Sequence, residues 1–148
     1  MKLVKRSTEV LDDMLLYNKL IGIELIVSSY TFNCIEHSRH CNMPVLENIC
    51  TLQHARLKDI LNQLASRIVN SNEPAQDLNA LMAGTEVLKP LDKNNIVPSL
   101  ISAHAEIIYL LNKEMNTQSD NSSLAGYLGQ LVATHHTMLL ELQQTQFS

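Results

Sequence analysis

A chain of 148 residues with 45% hydrophobic side chains is long enough for one domain with a real core, and too apolar to be disordered. Four glycines, four prolines and no tryptophan exclude a turn-rich β-sandwich, and the Leu-, Ile-, Met- and Ala-rich remainder suits an all-α protein. A net charge of −4 gives no whole-molecule basic footprint for nucleic acid, and three cysteines argue against a disulfide framework and for a reducing, cytoplasmic setting.

Residues 1–6 form a short basic tail, with Lys2, Lys5 and Arg6, whose plainest reading is a solvated terminus. Ser7-Thr-Glu-Val starts the first helix, with Ser7 as its cap, and the helix is expected to reach about Cys34. Leu11, Leu15, Leu25 and Phe32 fall on one face. Val10, Met14, Leu16, Tyr17, Leu20, Ile23, Ile26 and Val27 spread beyond it. One core-facing stripe does not need so many apolar residues, so a second face is expected to be buried by another subunit in a homo-oligomer. The run Leu20 to Val27 is too short, and too interrupted by Glu24, for a signal core or a membrane span.

Asn42-Met-Pro44 breaks the pattern, and Pro44 suits the first turn of a second helix reaching about Ser71. Its stripe is Leu46, Cys50, Leu57, Leu61, Leu64 and Ile68. Asn72-Glu-Pro74 ends it. A short helix over Ala75 to Ala83, stopped by Gly84, and a polar link from Lys89 to Asn95 follow. The third helix is expected over Ile96–Met115 and the fourth from Leu124 almost to the C-terminus. Each carries a histidine in its apolar stripe, His104 and His135. A hydrogen-bonded core pair is the favoured reading over ligands or catalysts, because buried imidazole needs partners. His54 sits at the edge of the second stripe, and His136 should face outward or toward a subunit neighbour. Gly126 and Gly129 lie inside the fourth helix, where each costs about 1 kcal/mol relative to Ala, and are expected to permit close helix approach.

The densest group of possible ligands is Cys34-Ile-Glu36-His37-Ser-Arg-His40-Cys41. On a helix, Cys34, His37 and Cys41 share one face and Glu36 and His40 an adjacent one. Two thiolates and an imidazole suit zinc or a softer transition metal. The plainer alternative is a polar helix end with two small core-facing cysteines.

Several segments in order resemble the Dps branch (DNA protection during starvation) of the ferritin-like proteins, over nearly the whole chain. His104-Ala-Glu106-Ile-Ile resembles its third helix, with Ala103 where an Asp often stands. His135-His-Thr-Met-Leu-Leu resembles its fourth. Leu64-Ala-Ser-Arg67-Ile68 resembles the end of its second helix, Glu73-Pro-Ala-Gln-Asp-Leu78 its crossover helix, and Tyr30-Thr-Phe-Asn33 its Tyr-His-Trp-Asn. The resemblance implies a single ferritin-like four-helix bundle over residues 7–148, with a short helix in the long crossover between the second and third helices. It also implies a dodecameric shell, oxidation of Fe(II) and iron storage, and DNA contacts through Lys2, Lys5 and Arg6.

The family's ferroxidase ligands map poorly. The first-helix His falls on Thr31, the paired carboxylates on Asn62 and Ser66, and the remaining ligands near Glu47 and Thr51. No Asp/Glu pair at i,i+4 occurs between Pro44 and Ser71. The expectation is therefore iron handling or oxidative-stress protection with a lost or rebuilt centre, the metal ligands to watch being Glu36, His37, His40, Cys41 and Glu47. A non-enzymatic assembly or partner subunit, or a zinc-binding bundle, are the alternatives.

Overall fold

The computed structural model describes residues 7–70, 88–118 and 123–146. The basic tail with Lys2, Lys5 and Arg6, and the crossover helix expected over Ala75–Ala83, lie outside the described residues. Among those residues there are four helices and no strand: α1 (Ser7–His40), α2 (Pro44–Asn70), α3 (Ile96–Met115) and α4 (Ser123–Thr145). None is long and apolar enough to cross a membrane.

α1 runs six residues further than the sequence expectation, because Ile35 to His40 contains no glycine or proline to stop it. Its end is a Schellman closure. Asn42 adopts a left-handed φ of 55°, which asparagine tolerates better than most residues. The Met43 N–H donates to Ser38 O at 2.8 Å and the Asn42 N–H to Arg39 O at 3.3 Å, which satisfies carbonyls left open at the helix end. Pro44 then opens α2, where its missing N–H costs nothing.

The structure chooses between the apolar faces of α1. Leu15, Leu25 and Phe32 are 54%, 44% and 48% exposed, while Leu16, Leu20, Ile23, Val27 and Cys34 are buried. Both faces are apolar in sequence, so periodicity alone does not choose between them; the packing of α2 and α3 does. Of the expected α2 stripe, Leu46, Cys50, Leu57 and Leu64 are buried and Leu61 is half-buried, while the Ile68 side chain lies outside what is described. The expected role of the two glycines is corrected. A Cβ on Gly126 would meet nothing within 4 Å, and one on Gly129 would meet only Met115 Sδ at 3.8 Å, an ordinary contact. Neither enforces a close helix approach.

α1 and α2 form one antiparallel hairpin and α3 and α4 another, with α1 packed on α3 and α2 on α4. Cross-links fix the directions. Lys19 meets Glu114 at 3.2 Å while the Tyr30 hydroxyl donates to Lys89 O at 2.9 Å, so α1 and α3 are antiparallel. Gln63 meets Tyr127 at 3.3 Å while the Gln53 amide donates to Met138 O at 3.0 Å, so α2 and α4 are antiparallel too. The order is up-down-down-up, with α2 and α3 parallel across the diagonal. The connection between Asn70 and Ile96 therefore joins opposite ends of the bundle, a span of about 40 Å for a helix of this length.

Candidate functional site

Three inward stripes share one spacing. Leu20, Val27 and Thr31 flank Glu24 on α1. Leu100, Ile107 and Leu111 flank His104 on α3. Leu128, Leu131, Met138 and Leu142 flank His135 on α4. Each polar residue occupies a slot in a seam of i,i+3 and i,i+4 positions, so helix geometry drives all three into the core. They are completely or almost completely buried.

They form a chain. His135 Nε2 lies 2.7 Å from Glu24 Oε1, and His135 Nδ1 lies 2.9 Å from His104 Nδ1. The two imidazoles are tilted at 46°, with centroids 5.1 Å apart. The carboxylate fixes the tautomer: His135 donates its Nε2–H to Glu24. With His135 neutral, its Nδ1 accepts from His104 Nδ1–H. With His135 protonated, the donor and acceptor roles between the two rings reverse. One proton separates the two states, and no heavy atom need move. Glu24 Oε2 and His104 Nε2, at the two ends, have no protein partner. Burial, reinforced by the adjacent His135, holds the His104 pKa well below the usual imidazole value.

This geometry suits a buried proton pair better than a metal ion. Glu24 engages Nε2, and His104 engages Nδ1 on the other side of the same ring, so the three donors do not converge on one point. Among the described residues no three His, Cys, Asp or Glu side chains are grouped to hold an ion. The expectation of hydrogen-bonded core histidines is met. The acid that ends their chain, Glu24, was not singled out as a site residue. Its signal was a lone carboxylate on an apolar stripe, which demands a buried partner.

A second layer lies toward the α2 side. The Arg67 guanidinium sits 3.9 Å from the Tyr127 ring centroid, a cation–π contact, and Arg67 Nη1 donates to the Tyr17 hydroxyl at 3.5 Å. The Tyr127 hydroxyl donates to Gln63 Oε1. Burial, with smaller contributions from Glu24 and Tyr17 and against the pull of Arg67, pushes the Tyr127 pKa up to about 12. An ultraviolet titration should therefore show one phenol ionising about two pH units after an ordinary tyrosine, and that late step should vanish in Tyr127→Phe. Because the folded pKa is the higher one, the stabilisation is complete below pH about 10 and is lost as pH rises toward 12. A late step surviving in the variant would reassign it.

The positions carried over from the resemblance are placed as follows. Thr31 is buried, and its hydroxyl donates to Val27 O at 2.7 Å, within its own helix. Asn62 and Ser66 are exposed. Glu47 pairs with Arg39 Nε at 2.9 Å, and the Thr51 hydroxyl donates to Glu47 O at 2.7 Å. One carboxylate already engaged by a guanidinium is a poor donor set for hard iron ions, so the usual ferroxidase ligands do not fit here.

The cysteine-histidine segment is helical through His40. His37 Nε2 lies 3.8 Å from Cys41 Sγ, while Glu36 and His40 are exposed. Cys34 leaves this group: it is fully buried, with its sulfur 3.3 Å from that of Cys50 on α2. His54 lies at the stripe edge beside Phe32, with ring centroids 6.0 Å apart, and His136 is exposed, both as expected. Compared with known proteins, the chain matches no family model and no curated relative.

Proposed function

We propose that this chain is a ferritin-like bundle of the Dps-like kind, serving iron handling or oxidative-stress protection as the subunit of a homo-oligomeric shell, with the usual ferroxidase ligands replaced. The up-down-down-up connectivity carries the reading, since one long crossover between parallel second and third helices is the arrangement of ferritin-like bundles. The segments quoted above around Arg67, His104 and His135 add to it. Leu25 and Phe32 on α1, and Val45 and Leu52 on α2, are exposed apolar side chains of the sort that subunit contacts cover. Iron is the substrate in this reading. Lys2, Lys5 and Arg6 supply salt-sensitive phosphate contacts to DNA.

A specific observation favours a second reading, a shell or partner subunit without ferroxidase chemistry: Thr31, Asn62 and Ser66 offer no strong iron donor, and Thr31 is turned into its own helix. Two measurements separate the readings. The mass in solution should correspond to an assembly near twelve subunits; a monomer or simple dimer would end the storage proposal. Aerobic Fe(II) should then give ferric absorbance faster than buffer alone if a rebuilt centre works. A rate equal to buffer, in an assembled shell, selects the scaffold.

A further inference from the structure

We infer that Cys34 and Cys50 form a peroxide-oxidisable dithiol that closes into a disulfide joining α1 to α2. Both side chains are fully buried, and their sulfurs face each other at 3.3 Å across the hairpin, with Cys50 donating its S–H to Cys34. A disulfide needs about 2.05 Å, so an approach of about 1.3 Å completes the bond. Cys41, the third cysteine, is exposed and lies in the turn beyond α1, outside this pair.

The hydrogen bond assigns the roles. It lowers the pKa of Cys34 and, with burial, raises that of Cys50. Cys34 is thus the attacking sulfur and Cys50 the resolving one. Cys34 Sγ, as thiolate, attacks one oxygen of a hydroperoxide. An S–O bond forms, the O–O bond breaks, and the departing oxygen leaves as water or alcohol after taking a proton. Cys50 then gives up its proton and attacks the Cys34 sulfur. The S–S bond forms, the S–O bond breaks, and a water leaves. Two thiols are oxidised by two electrons, and the peroxide is reduced by two.

The oxidant reaches the pair through the turn end of the hairpin. Cys34 lies about two turns before the end of α1 and Cys50 about two turns after the start of α2, so fraying around Asn42 exposes both together. The reaction is accordingly limited by opening and accelerates in sub-denaturing urea. This inference rests on the thiol geometry alone and stands whether or not the chain handles iron.

The test uses the Cys41→Ser variant, in which only the buried pair remains. After hydrogen peroxide treatment and denaturation without reductant, both remaining thiols should be lost to titration. The intact mass should fall by two hydrogens, with the peptides bearing Cys34 and Cys50 linked. In Cys41→Ser/Cys50→Ser, the Cys34 sulfenate should instead be trapped by a cyclic dione. Wild-type protein alkylated at Cys41 in the native state gives the same readout without any substitution. Two thiols still titrating, or a mass gain from over-oxidation without a linked peptide, would overturn the inference.

Discussion

Replacing His135 with Phe should destabilise the protein by about 3 kcal/mol, because it leaves two buried groups without partners, the Glu24 carboxyl at 2.7 Å and the His104 ring nitrogen at 2.9 Å. For a domain of this size that is a fall in Tm on the order of 10 °C. Glu24→Leu alone should be comparably damaging, since it strands the imidazole. The informative protein is the double variant. Removing both members leaves an apolar pair of similar volume and should recover the part of the loss due to the stranded carboxyl, the remainder being the His104 ring N–H, whose partner at 2.9 Å is also gone. Strictly additive single and double variants would show that the two groups do not interact, and the site assignment would fall with them.

Acid should weaken the fold through His104. Its folded pKa lies well below the unfolded value of about 6.5, because burial and His135 both oppose its protonation. The sign follows directly. Above pH about 6.5 neither state binds the proton, and the full stability is present; below it the unfolded chain binds one that the folded protein refuses. Stability then falls by about 1.4 kcal/mol per pH unit until the folded pKa is reached. His54, whose pKa is lowered by partial burial and Lys58, contributes with the same sign. His104→Gln keeps a donor for His135 and does not titrate. Its urea midpoint should lie lower at neutral pH but decline less steeply between pH 6.5 and 5, retaining only the part due to His54 and the other groups. Parallel profiles for the two proteins would exclude His104 as the acid-labile group.

The residues of the core centre differ in how legible they were. His104 and His135 stand out in sequence because each interrupts an apolar stripe at helical spacing, and their mutual hydrogen bond follows from two neighbouring antiparallel helices. Glu24 interrupts a stripe in the same way. Its helix, however, is apolar on more than one face, so sequence did not say whether position 24 points in or out. The same ambiguity left Leu25 and Phe32 on an equal footing with Leu20, Ile23 and Val27, of which only the last three are buried. Cys34 was drawn toward His37 and Cys41 by proximity along the chain. Its partner, Cys50, sits on the next helix, and only the register of the hairpin brings the two sulfurs together.

Sequence by itself determined the helical class, the positions of α2, α3 and α4, the break at Pro44 and the inward direction of two histidines. All of these are local consequences of propensity, capping and the 3.6-residue period. The tertiary structure alone decided which face of α1 is core and that Glu24 closes the histidine pair. Those outcomes depend on contacts between helices far apart in the chain, and a single helix with two apolar faces carries no information about which neighbour will cover each.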